Sequence, residues 1–154
     1  MTFRRPAARL FLVDHAYRVL LLHVADPPRP GSWWQLPGGT VRRREDAVDA
    51  CGRLLRDETG IDVGVRAGPC VWVRASGRWL RARERTYVAW LDEPGAPRAD
   101  AVPAAAGTRL GERWWTLDEL AATAERFDPP GLPSLAPAVV RGEYGPGPVA
   151  IGQN

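Results

Sequence analysis

Two carboxylates stand side by side at Asp57-Glu58, and two glycines stand side by side at Gly38-Gly39, directly after Pro37. Each pair carries a possible chemistry. Adjacent glycines permit a backbone bend that exposes carbonyl oxygens, which hard cations accept as ligands. On a helix, Leu54 lies about 60° from Asp57 and about 40° from Glu58 around the axis, so both carboxylates sit at the C-terminal end of one face. That end is the negative pole of the helix dipole, and a cation relieves the conflict. Oxygen ligands of this kind suit Mg²⁺ or Mn²⁺, and those ions suit phosphate chemistry. On residue types alone, a bare Asp-Glu pair reads more simply as a solvated acidic helix end.

The elements that must position these groups follow from patterning. Asp46 to Thr59 reads as a helix, with Asp46 and Asp49 approximating a capping box and Gly60 as its stop. Val48, Cys51 and Leu55 form its core stripe at three- and four-residue spacing. Arg9 to Asp14 and Arg18 to Val24 read as strands joined by a turn at 15–17, and their density of Leu and Val predicts a sheet covered on both faces. Asp26 to Ser32, rich in Pro and Gly, is a loop, and Trp33 to Val41 is broken again at Pro37-Gly38-Gly39. Val63 to Ala75 and Arg78 to Leu91 return to strand patterning about a turn at Gly77. Asp92 to Gly111 reads as a flexible loop, Arg113 to Trp115 as a short strand, Leu117 to Glu125 as a helix, and Pro133 to Arg141 as a last helix. Gly142 to Asn154 is a Gly/Pro-rich tail without definite structure. Strands before, around and after a central helix give an α/β class with a mixed sheet.

Composition bounds the function. The 154 residues fit one domain, 45% hydrophobic and 25% charged, which is globular rather than disordered. Net charge is +3, from 21 basic and 18 acidic residues with signs interspersed, which is no footprint for duplex nucleic acid. Every basic residue is Arg, a usage that reads as genome composition beside the abundant Ala, Gly and Pro. No apolar run is long enough to span a bilayer and no signal peptide is recognisable, so a soluble, cytoplasmic protein is expected. Cys51 and Cys70 have neither zinc nor disulfide spacing and are expected to be reduced, buried and inert.

The segment from Gly39 to Ile61 resembles the Nudix box, G-x5-E-x7-R-E-U-x-E-E-x-G-U with U a bulky aliphatic residue. Gly39, Glu45, Arg53, Leu55, Glu58, Gly60 and Ile61 match at the required spacing, and Asp57 replaces a Glu conservatively. Trp34-Gln35-Leu36-Pro37-Gly38 resembles the usual lead-in, and the run from Arg113 to Leu120 resembles a stretch near the end of many bacterial members. The resemblance covers about residues 9–141. It implies a single Nudix-type α/β/α sandwich with a mixed sheet. It also implies a metal-dependent pyrophosphohydrolase that cleaves a nucleoside diphosphate linked to another moiety. Carried over by position, the Gly38 carbonyl, Asp57 and Glu58 are metal ligands for Mg²⁺ or Mn²⁺. Glu45 and Arg53 form an architectural ion pair tying loop to helix. A homodimer is consistent with the resemblance.

One departure stands out, because the pattern places Glu where this chain has Leu54. Leucine has no lone pair and no titratable proton, so it neither binds a cation nor activates water. Either another carboxylate supplies the missing oxygen, or hydrolysis is slow, or the site has become a nucleotide-binding module without turnover. Glu84, flanked by Arg83 and Arg85, is the first substitute; its plain alternative is a charged rim strand. Glu112 is the second. Trp33, after a Pro/Gly loop, is the preferred base-stacking residue, whereas Trp34 and Trp72 read as core plugs. His23, at a strand end, and Arg42, beside Glu45, are further candidates for touching substrate. An isomerase of an allylic diphosphate and a transcriptional regulator are less consistent with the motifs and the length. The loops that read base and sugar leave the substrate open.

Overall fold

The computed structural model describes residues 6–61, 65–76, 82–91 and 108–152. The first half of the chain builds β1 (Ala7–Val13), β2 (Val19–Ala25), β3 (Trp33–Gln35), β4 (Gly38–Thr40) and α1 (Ala47–Thr59). The second half adds β5 (Val65–Ser76), β6 (Ala82–Leu91), β7 (Thr108–Trp115), α2 (Leu117–Ala122), β8 (Phe127–Asp128), α3 (Leu132–Val140) and β9 (Val149–Ala150). The strands run in the order β8-β3-β2-β1-β6-β5-β9, with β4 on β1 and β7 on β2. β1 pairs parallel with β6 and antiparallel with β4, so the sheet is mixed.

β1 explains why its sequence is almost continuously apolar. Successive strand residues face opposite ways. Ala8, Leu10 and Leu12 pack in one cluster with Ala50, Cys51 and Leu55 of α1. Phe11 and Val13 pack in the other, with Leu120 of α2 and Leu132, Ala136 and Val139 of α3. This is an α/β/α sandwich. Burial of a side chain such as Leu55 contributes about 2 kcal/mol, so the stripe on α1 fixes which face of the helix meets the sheet.

α1 begins and ends as its sequence dictates. The Asp46 carboxylate accepts the Val48 N–H at 3.0 Å. Gly60 takes the left-handed conformation at φ 78°, and its N–H closes on the Arg56 carbonyl.

Several boundaries differ from the sequence expectation. Gly38 and Gly39 lie within β4 rather than in a plain turn, because Gly38 pairs with Arg9. Residues 108–111, expected in a loop, belong to β7, which gains length by pairing with β2 from Val19↔Trp115 to Ala25↔Thr108. The rest of that expected loop, 92–107, and the turn at Gly77 lie outside the described residues. α2 stops at Ala122 rather than Glu125: Thr123 is extended and its hydroxyl accepts the Glu125 N–H. The tail is partly ordered, since β9 pairs with Trp72 and Val73 and Ile151 is buried in the α3-side cluster. Cys51 is buried and Cys70 half-buried, and both are free thiols. No helix among the described residues is long and apolar enough to cross a membrane.

Candidate functional site

The site grows from the C-terminal end of α1 against β4. Glu58 is 1% exposed. Its Oε1 accepts the Gly38 N–H at 2.9 Å, and its Oε2 is buried with no hydrogen-bond partner. The backbone must be glycine here. Gly38 has φ +148°, and a Cβ would fall 2.2 Å from the Ala8 carbonyl oxygen. Burial pushes the Glu58 carboxyl up from 4.5 to about 7, against the opposing pull of the Gly38 N–H and of the Arg9 and Arg109 charges. A carboxylate held so, with one oxygen fixed and the other unsatisfied, calls for a proton or a cation at Oε2.

The loop between β4 and α1 is locked by one ion pair. Arg53 grips Glu45 through Nε and Nη2, both at 2.9 Å, and Nη2 also donates to the Thr40 carbonyl. The Arg42 N–H donates to the same carboxylate. These contacts, the Arg53 bond foremost, hold the Glu45 carboxyl down at about 2. The pair serves architecture by joining the start of the helix approach to its middle.

Two arginines that the motif does not mark enter the site from the sheet. Arg9 of β1 lies across Gly38, its Cδ 2.8 Å from where a Cβ there would sit. It donates to the Leu36 carbonyl at 3.2 Å and pairs with Glu84 at 3.4 Å. Arg109 of β7 pairs with Glu112. Both substitute carboxylates are therefore held by guanidinium groups whose charges also act on Glu58. The sequence signal for Arg9 is faint: a single charge within an otherwise apolar strand.

The remaining candidates are placed unevenly. Asp57 is exposed, one residue before Glu58. Leu54 is half-buried, its methyls 3.5 Å from the position of a Cβ on Gly39. Trp33 is 6% exposed, packed with Leu22 and Val24, bonded through Nε1 to Gln35 and covered by Arg29. That packing corrects its choice as an open stacking face: the Pro/Gly loop before it brings Arg29 down over the ring. His23 stacks on Trp34, centroids 4.5 Å apart, and its Nε2 meets the Ser32 hydroxyl at 2.8 Å. Trp34 packs against the α3-side core, and Trp72 lies within it. Arg42 is exposed.

The donor chemistry fits a hard divalent cation. Glu58 Oε2 is a buried oxygen donor without a partner, and Asp57, exposed one residue before it, carries a second carboxylate. Among the described residues, no group of three or more His, Cys, Asp or Glu side chains converges as a closed cage. Leu54 contributes nothing to such a set.

Comparison with known proteins agrees with this architecture. Residues 3–135 match the NUDIX domain family. None of the curated proteins matches. Among solved structures, a C. elegans Ap4A hydrolase binary complex is similar at 19% identity and TM-score 0.58, over 88% of this chain and 98% of that one. An ADP-ribose pyrophosphatase from Streptococcus suis is similar at 14% identity and TM-score 0.62, over 95% and 96%. A NUDIX-family hydrolase from Clostridium perfringens is similar at 16% identity and TM-score 0.63, over 90% and 97%. These likenesses are of fold.

Proposed function

The chain belongs to the NUDIX family, and we propose on that footing that it is a Mg²⁺- or Mn²⁺-dependent pyrophosphohydrolase of a nucleoside diphosphate linked to another moiety. The observation that carries the reading is Glu58: buried, fixed through Oε1 by the Gly38 N–H, and unsatisfied at Oε2. A buried carboxylate oxygen without a partner is costly, and a cation ligand role accounts for keeping it. Asp57 offers the second carboxylate, with the Gly38 carbonyl as a third oxygen. When bound, such a cation would be held by these oxygens and would supply charge neutralisation at the diphosphate.

The chain's own residues divide the remaining work. Glu84 stands in for the carboxylate absent at Leu54, orienting the attacking water and accepting its proton. Glu45 and Arg53 hold the bend against the helix. Arg42, exposed beside Glu45, is the candidate for terminal phosphate oxygens. Trp33 and His23, engaged by Gln35 and Ser32, do not enter this reading as base contacts.

A second reading rests on Leu54 together with the absence of a three-carboxylate cage among the described residues: a nucleotide-binding module that keeps the fold without turnover. Incubation with a panel of nucleoside diphosphate derivatives in Mg²⁺ or Mn²⁺ separates the two. Metal-dependent release of a nucleoside monophosphate, lost by at least about 10²-fold in Glu58→Gln, supports the hydrolase. Tight binding with no product from any of them supports the module.

A further inference from the structure

β7 departs from a regular strand at one place, and the departure aims an arginine. His23 of β2 pairs with Gly111 and Val24 pairs with Arg109, so the register passes over Leu110, which is exposed. Residues three apart on a regular strand face opposite ways. The bulge at Leu110 brings Arg109 round to the face of Glu112, and the two side chains pair.

That face is the one α1 covers. Trp114, two residues after Glu112, packs against the α1-side cluster, whereas Trp115 lies in the α3-side one. The cross-strand partners agree. Leu20 belongs to the α1-side cluster, and Leu22 and Val24 follow it at alternate positions of β2, opposite Glu112 and Arg109. Gln35 stands opposite Leu22 on the other side of β2, and three residues further on is Gly38, whose N–H holds Glu58. Arg109 and Glu58 therefore belong to one face of the sheet, from β7 and from α1, and the Arg109 charge acts on the Glu58 carboxylate. The Arg109 side chain is 9% exposed and the Glu112 side chain 27%, so a deeply set cation is held by a carboxylate that water reaches. The bond between them runs through Nη2, one end of a fork that holds two oxygens at once. A diphosphate brings more charge and more acceptor oxygens to that fork than one carboxylate does.

We propose that Arg109 is a binding residue for the diphosphate, gripping its oxygens directly and exchanging Glu112 for them as it does so. The inference rests on the reading of this chain as one that takes a nucleoside diphosphate derivative. It goes beyond that reading by giving the site a fixed positive charge that needs no metal. The exchange also sets the sign of Glu112, which competes with the ligand for Arg109. An ion pair that merely fastened the bulge would put no such opposition between its two members.

The test uses the full chain and methylenediphosphonate, a diphosphate analogue whose bridge cannot be hydrolysed. Binding is followed by NMR titration, once with a chelator and once with Mg²⁺, on wild type, Arg109→Gln, Glu112→Gln and the double variant. Wild type is expected to bind the analogue under both conditions. With the chelator, Arg109→Gln is expected to weaken binding about tenfold or more. Glu112→Gln is expected to tighten it several-fold, because the competing carboxylate has lost its charge. The double variant is expected to match Arg109→Gln alone. Arg109→Lys, which keeps the charge without the fork, falls between wild type and Arg109→Gln, and it carries the comparison where Arg109→Gln does not fold. Binding weakened alike by Arg109→Gln and Glu112→Gln, or unchanged in both, overturns the inference and leaves the pair a structural one. Wild type that binds the analogue only with Mg²⁺ overturns the metal-independent grip while the diphosphate reading stands. No binding by wild type under either condition overturns that reading, and the inference with it.

Discussion

Replacing Glu58 by Gln should make the metal-free protein relatively more stable as pH rises, while removing activity. Burial lifts the folded-state carboxyl from 4.5 to about 7. At about 1.4 kcal/mol per pH unit, an ionised Glu58 costs the folded state about 3 kcal/mol. The sign follows from where the proton sits. Below about pH 4.5 the group is protonated in both states and costs nothing extra; above about pH 7 it is ionised in both, and the folded state bears the whole penalty. Wild-type stability therefore falls across pH 4.5–7 from this group. Glutamine has no such titration. It keeps an acceptor for the Gly38 N–H but leaves an amide N–H₂ at the unpartnered Oε2 position, a cost of about 1–3 kcal/mol that is the same at every pH. Subtracting the two stability profiles cancels that constant and every other titrating group. Urea unfolding in the presence of a chelator, at pH 4.5 and pH 8.5, should show the Glu58→Gln minus wild-type difference growing by about 3 kcal/mol. Addition of Mn²⁺ at pH 8 should stabilise wild type, by about 2.7 kcal/mol at a hundred times its Kd, and leave the variant unmoved. Parallel pH profiles would refute the buried, unsatisfied carboxylate as the centre of the site.

Gly38→Ala should destabilise by about 3 kcal/mol or more, since its Cβ would meet the Ala8 carbonyl at a φ that L-residues avoid; calorimetric melting checks it. Leu54→Glu should leave kcat unchanged or lower it while Glu84 is present, because it crowds a further negative charge beside Asp57 and Glu58. In a Glu84→Gln background the same change should recover about tenfold in kcat, and no recovery would separate position 54 from the carboxylate shortfall. The Glu45–Arg53 pair contributes above about pH 4.5 and loses its contribution as pH falls towards 2, because the folded-state carboxyl is the depressed one. The melting-temperature gap between wild type and Glu45→Gln should therefore close across that window.

What was legible in the sequence was whatever a local pattern encodes. α1 was readable to within a residue because Asp46, the apolar stripe and Gly60 are signals carried by the segment itself. The two-sided sheet was readable because β1 and β2 are apolar on both faces. The end of β7 was readable at Arg113 to Trp115, but its first half was not, since Thr108-Arg109-Leu110-Gly111 has no strand pattern of its own and takes its extended form from pairing with β2. The same holds for β9, two residues given a place by the open edge of β5. Within the site, the Glu45–Arg53 contact and the meeting of Glu58 with Gly38 follow the motif's spacing. Arg9 was missed because its role depends on strand register, which brings residues 75 apart in the chain into one ion pair, and Arg109 because it falls in the stretch that reads as a loop. Trp33 was misread for the converse reason: a flanking loop suggests exposure, but Arg29, carried by that loop, covers the ring.

Leu54 takes its meaning from this charge arrangement. Asp57 and Glu58 bring two carboxylates to the end of α1, while Glu84 and Glu112 on the sheet are already paired with Arg9 and Arg109. The inner carboxylate is the buried one, already disfavoured in its ionised form by desolvation, with Asp57 adding to the strain. A further Glu at position 54, on the helix face beside them, would add another negative charge next to a group that barely tolerates its own. A leucine there spares the fold that repulsion and packs against Gly39 instead. On the proposed reading the carboxylate absent from the helix is sought on the sheet, where Glu84 is paired with Arg9.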